Sequence, residues 1–122
     1  MKTFVATLLV LLFSIPTAMS EIKDTGVWCP TNPMEESYGF WFIDGSVFRA
    51  YIEGYNVTTY DYSFVERTTE IEIGMEYTLD RDTLIMSAPL RSDRQCSLVT
   101  SYDDLHRKLL AIVDAEKTRN KI

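Results

Sequence analysis

From Thr69 to Leu79 the chain alternates without a break. Thr69, Ile71, Ile73, Met75, Tyr77 and Leu79 fall on one side, and Glu70, Glu72, Gly74, Glu76 and Thr78 on the other. A period of two matches the pleat of a β-strand, so this segment is expected to be extended with one face buried. Gly74 marks a bulge or bend partway along, or a turn that splits the run in two. Asp80-Arg81-Asp82-Thr83 reads as a tight turn. Leu84, Met86 and Ala88 then read as a returning strand that stops at Pro89, which cannot donate to a ladder.

Strand signals continue upstream. Tyr38 to Ile43 is an aromatic and aliphatic run, followed by Asp44-Gly45 and then Ser46 to Glu53. A two-residue Asp-Gly loop between such runs predicts a hairpin. In that register Ile43 opposes Ser46, Phe42 opposes Val47, Trp41 opposes Phe48 and Phe40 opposes Arg49. One face then carries Ile43, Trp41, Phe48, Ala50 and Ile52, and is expected to be the better core. The other carries Tyr38, Phe40, Phe42, Val47, Arg49 and Tyr51. On that face Arg49 is expected to lie across Phe40 as a cation–π partner. Tyr60, Tyr62 and Phe64 alternate with Asp61 and Ser63 as a further strand. Arg94 to Val99 reads as the last one.

The tail is helical. Ser101 is a good N-cap, and Asp104 three residues on resembles a capping box. Tyr102, Leu105, Leu109, Ile112 and Val113 form an apolar stripe at helical spacing. Asp103 with Arg107, and Asp104 with Lys108, are acid-before-base pairs four apart. The expected fold is therefore mainly β (α+β). It is an antiparallel meander or small, partly closed barrel of about six to eight strands, with one C-terminal helix over about 101–119.

The first residues read as an address. Lys2 is followed by an apolar run from Phe4 to Phe13, then Pro16 and the small residues Ala18-Met19-Ser20. That pattern predicts a cleaved signal peptide over 1–20, leaving one domain over 21–122. The run is about half the roughly 20 apolar residues a membrane span requires. A secreted or periplasmic location with no membrane span in the mature chain follows. In such an oxidising compartment Cys29 and Cys96, the two cysteines of the chain, are expected to pair. Two unpaired buried thiols are the alternative.

Composition narrows the chemistry. The formal net charge of −6 argues against nucleic acid as a partner. Two cysteines and one histidine, His106, exclude the usual zinc ligand sets. No Gly-rich phosphate loop and no nucleophile elbow is present, so no cofactor is expected. His106 reads as a partly exposed helix residue, since a catalytic histidine needs a nucleophile and an orienting acid.

Two features invite a binding role. Residues 21–80 hold 12 acidic and 3 basic residues, whereas 81–122 hold 6 acidic and 8 basic. Glu70, Glu72 and Glu76 should project from one strand face, about 7 Å apart per two residues. They read either as a docking surface for a basic protein or weak calcium site, or simply as a solvated face that discourages edge pairing. The second feature is aromatic. Eleven aromatic residues lie between Tyr38 and Tyr77. They read as a core, or as the lining of a ligand pocket or contact surface around Tyr38, Phe40, Arg49 and Tyr51. Asn56-Val57-Thr58 also matches the N-glycosylation sequon.

The segment Tyr77-Thr78-Leu79-Asp80-Arg81-Asp82-Thr83-Leu84, with Gln95-Cys96 and the helix ending Asn120-Lys121-Ile122, resembles small secreted proteins of unknown function from marine bacteria and their phages. That resemblance covers about 40 C-terminal residues and implies a bacterial periplasmic setting, with no chemistry attached. The meander with a terminal helix is also similar to lipocalins, although 102 residues is short for their full barrel. No site residues follow from either resemblance.

Binding ranks above catalysis on this inventory. The leading expectation is a non-catalytic secreted or periplasmic binding module for a small hydrophobic ligand or a protein partner. An inhibitor or immunity-type protein that blocks a basic secreted enzyme is the alternative. A small carboxylate-dependent enzyme is the third.

Overall fold

The computed structural model describes residues 22–120, and the leader expected over 1–20 lies outside them. Among the described residues the strands are β1 (Thr25–Cys29), β2 (Tyr38–Ile43), β3 (Ser46–Glu53), β4 (Asn56–Tyr62) and β5 (Phe64–Glu66). Then come β6 (Glu70–Ile73), β7 (Tyr77–Asp80), β8 (Ile85–Ser87), β9 (Arg94–Gln95) and β10 (Ser97–Val99), followed by helix α1 (Tyr102–Arg119). The fold is mainly β, with antiparallel pairing throughout. One sheet has the order β10-β1-β2-β3-β4 and the other β5-β6-β7-β8-β9.

The order is that of a meander folded back on itself, with β10 beside β1. Among the described residues no barrel closes, because the ladder breaks twice. Ser63 separates β4 from β5 where the chain passes into the second sheet. Cys96 separates β9 from β10 where it returns, so the strand expected over Arg94 to Val99 is two short ones in different sheets. Within β1, Gly26 has a local reason to be glycine. A Cβ at that position would collide with the Phe40 carbonyl and stand 2.6 Å from the Trp41 ring.

The alternating run resolves into a hairpin. Ile71 faces Leu79 and Ile73 faces Tyr77 across a turn at Gly74-Met75-Glu76. Gly74 has φ +59°, a conformation that favours glycine, and its N–H donates to the Ser63 carbonyl at 2.8 Å. Facing residues in this hairpin are an even number of positions apart. Side-chain parity therefore survives the reversal, and one long strand and a three-residue turn produce the same alternation. Met75 is the exception that marks the turn: it is fully exposed.

The Asp44-Gly45 hairpin has the expected register, from Ile43↔Ser46 to Tyr38↔Tyr51. Its faces are the reverse of expectation. Tyr38, Phe40, Phe42 and Val47 are buried against Ile71, Ile73, Tyr77, Leu79 and Met86 of the second sheet. The face expected to be the better core lies under the helix instead, where Ala50 is buried and Trp41 and Ile52 are partly covered, while Ile43 is exposed. Sheet one is thus the middle of three layers, and both its faces are used. A single pair of strands cannot tell which apolar face meets a sheet and which meets a helix.

Helix α1 closes the outer layer. Ser101 Oγ accepts from Asp104 N at 3.1 Å, satisfying an N-terminal amide. Leu105, Leu109, Ile112 and Val113 are its buried residues. Neither expected four-apart ion pair closes. The helix pair that forms is Arg119 with Glu116. Cys29 and Cys96 are disulfide-bonded, joining the end of β1 to the crossover between the sheets.

Candidate functional site

The disulfide decides which loops meet. Residues after Cys29 (Pro30 to Ser37) and residues before Cys96 (Arg91 to Gln95) are drawn together at one end of the sandwich. Arg94 Nη1 donates to the Glu36 carbonyl at 3.2 Å, across 58 positions of sequence. Between these loops and β3 lies a cleft of about 570 Å³, lined by Thr31, Glu35, Glu36, Ser37, Arg49, Tyr51, Ile52, Arg91, Ser92 and Arg94.

Each wall has a structural support. Ser37 is buried, and its Oγ accepts from Thr31 N at 3.0 Å, which pins the loop that carries Glu35 and Glu36. On the opposite wall Leu90 takes φ +60°, a conformation rare for an L side chain, with its own side chain wholly exposed. The Arg91 N–H reaches back to the Ala88 carbonyl at 3.3 Å. That tight reversal sets the direction in which Arg91 leaves the backbone.

Arg49 forms the floor beside tyrosines. Its guanidinium carbon lies 4.5 Å from the Tyr51 ring centre, 5.1 Å from Tyr38 and 5.9 Å from Tyr77. The cation–π contact expected with Phe40 is therefore made with these rings. Phe40 is one layer deeper, fully buried, with its centre 5.1 Å from that of Tyr77. Arg94 stands 4.7 Å above the Tyr38 ring. Arg49 Nε is shielded from solvent and has no hydrogen-bond partner among the described residues.

Tyr38 reports on this environment. Burial raises its hydroxyl above the ordinary tyrosine range, while Arg94, Arg49 and Arg91 oppose the rise. Burial is also the main cause that raises Tyr62, and the Arg49 charge works against it. Both phenols stay neutral at physiological pH and can donate hydrogen bonds.

Of the expected aromatic surface, Tyr38, Phe40, Arg49 and Tyr51 do share one face of β2 and β3. Tyr38 and Phe40 belong to the core, however, and Arg49 and Tyr51 reach the cleft. Arg91 and Arg94 were not expected from sequence pattern. The signal that could have found them is the disulfide itself, since a Cys29–Cys96 bond brings Arg91-Ser92-Asp93-Arg94 beside the loop after Cys29.

The glutamates lie elsewhere, on the second sheet. Glu70 and Glu72 are on β6, and Glu76 is in the following turn, so the three do not form one evenly spaced strand row. Glu72 pairs with Arg67 at 2.9 Å, and neighbouring Glu66 with Arg81 at 3.5 Å. Asp80 is held below the usual carboxylate range by the Thr83 and Asp82 amides, whose N–H groups donate to Oδ1 at 2.9 Å. It shapes the β7–β8 turn. Among the described residues no group of three or more His, Cys, Asp or Glu is arranged to hold a metal ion. His106 stacks on Tyr102 on the helix, with ring centres 5.7 Å apart. No helix among the described residues is long and apolar enough to cross a membrane.

No family model matches the chain, and neither a curated protein nor a solved structure is significantly similar to it.

Proposed function

We propose that the chain is a secreted or periplasmic binding module without catalysis, whose ligand enters the cleft over Arg49 and Tyr51. The single observation that carries this is the cleft of about 570 Å³, whose two loop walls are tied together by the disulfide. Walls fixed before the ligand arrives lower the ordering cost of binding. Export is supported by the leader pattern of residues 1–20 and by the disulfide. A purely hydrophobic ligand has less support than a polar one. The aromatic residues that favoured it fill the interior between the sheets, and charged side chains line the opening.

The alternative, an inhibitor of a basic enzyme acting through Glu70, Glu72 and Glu76, draws support from their position together on the second sheet. Its charge is partly met by Arg67. The carboxylate-enzyme reading finds no support in Asp80, which is engaged in a turn.

Amide NMR of the purified protein separates these readings. A fragment library should shift amides of Thr31, Ser37, Tyr51 and Arg91 to Arg94. If no fragment moves the cleft, and an oligolysine peptide shifts Glu70 to Glu76 at micromolar concentration, the inhibitor reading replaces this one.

A further inference from the structure

Resting on that reading, we infer that the cleft selects a ligand bearing an oxyanion group, a phosphate, sulfate or carboxylate, held by Arg91 and Arg94 with Arg49 behind them.

The argument begins with charge. Acidic residues outnumber basic ones in this chain by 18 to 12, so an unpaired arginine has many carboxylates to choose from. Yet Arg49, Arg91 and Arg94 make no ion pair among the described residues, where the pairs are Arg67–Glu72, Arg81–Glu66 and Arg119–Glu116. All three guanidinium groups line the same cleft, outside any ion pair among the described residues, with Arg94 also donating to the Glu36 carbonyl. Their fields also converge, since each acts on the one Tyr38 hydroxyl.

Their setting suits anion capture. A guanidinium resting on an aromatic face is partly dehydrated and keeps its planar fork aimed along the ring. Arg94 on Tyr38 and Arg49 on Tyr51 are held this way. Arg91 is exposed and has no side-chain partner among the described residues, which leaves its fork free for a two-point bond to an oxyanion. A concave site focuses such a field more than a flat surface does. Glu35 and Glu36 also line the cleft, and both are exposed. Two carboxylates at the rim oppose anion entry, so the site should prefer a compact oxyanion over a polyanionic chain.

Isothermal titration and amide NMR at constant ionic strength test this, with inorganic phosphate, sulfate and citrate as probes and chloride as the reference. Phosphate or citrate should shift the amides of Thr31 to Ser37 and Arg91 to Arg94. Arg91→Ala should weaken that binding at least tenfold without lowering the melting temperature, because its exposed side chain makes no hydrogen bond or ion pair among the described residues. Glu35→Gln with Glu36→Gln should tighten it several-fold, which a merely structural role would not do. Equal response of wild type and Arg91→Ala to the oxyanions would overturn the inference as simple screening. Cleft shifts caused by uncharged fragments but by none of the three oxyanions would overturn it while leaving the binding-module reading intact. Silence of the cleft to every probe would overturn both.

Discussion

Removing the Cys29–Cys96 bond should cost this domain a large part of its stability. The bond spans 67 positions of sequence and encloses β2 to β9. Chain-entropy arithmetic for a loop of that size gives about 4 kcal/mol of destabilisation of the unfolded state. A domain of this length has about 5–15 kcal/mol in total. At about 4–8 °C per kcal/mol, the melting temperature should fall by roughly 15–30 °C. Both cysteines are buried, so substitution adds packing losses to the entropic effect. The cleaner perturbation is the wild-type chain unfolded, reduced and refolded under reductant, compared with the oxidised chain by urea unfolding. Cys29→Ala/Cys96→Ala then measures the packing part. The entropic account fails if the reduced wild type loses less than about 1 kcal/mol. It also fails if reduced wild type keeps its stability while the alanine pair loses it. The same comparison bears on the cleft, because its two loops are joined through this bond. Phosphate response should fade in the reduced protein even where circular dichroism shows intact sheets.

Three further outcomes are expected. Gly39→Ala should cost about 1–3 kcal/mol by overpacking, because a Cβ there meets Leu105 and stands 2.7 Å from the Val27 carbonyl oxygen. In a Leu105→Ala background the penalty should shrink but persist, a coupling that urea unfolding of the double-mutant cycle measures. Ser101→Ala should cost about 1 kcal/mol through the lost cap on Asp104 N, read as a lower urea midpoint. Tyr38, Tyr62 and Tyr102 all have hydroxyls raised above 10.0, chiefly by burial. A raised folded-state value means the stability they contribute is present below pH 10 and is lost as pH rises beyond it. Phenolate absorbance should therefore show a late-titrating fraction in the folded protein that disappears in concentrated guanidinium. Titration of every tyrosine together near pH 10 would contradict this.

Much of the fold was legible in the chain because its signals are local. Asp44-Gly45 between two aromatic runs set a hairpin register that involves only neighbouring residues. Ser101 and the stripe from Tyr102 to Val113 defined a capped amphipathic helix, whose cap and buried face depend on spacings of three and four. The cysteine pairing was expected from two cysteines behind a leader-like first segment, with unpaired thiols as the alternative until the structure joined them. Candidate site residues were legible only in part. Arg49 and Tyr51 stood out because a charge interrupts an aromatic face, whereas Arg91 sits in a polar loop and Arg94 opens the two-residue strand β9, with no periodicity to set them apart.

What remained undecided was long-range. Parity survives a three-residue turn, so the run from Thr69 to Leu79 could not declare itself a hairpin until Ile73 met Tyr77. Two apolar faces on one hairpin are equally apolar until a second sheet covers Phe40 and a helix covers Ala50. The rings beneath Arg49 come from β2, β3 and β7, three strands whose meeting no local pattern encodes. The sequence by itself determined an acidic, strand-rich chain with a C-terminal helix and two cysteines able to pair. Only the tertiary structure placed at one opening three arginines that form no ion pair among the described residues, because loop closure across 67 residues, rather than any local preference, brings them together.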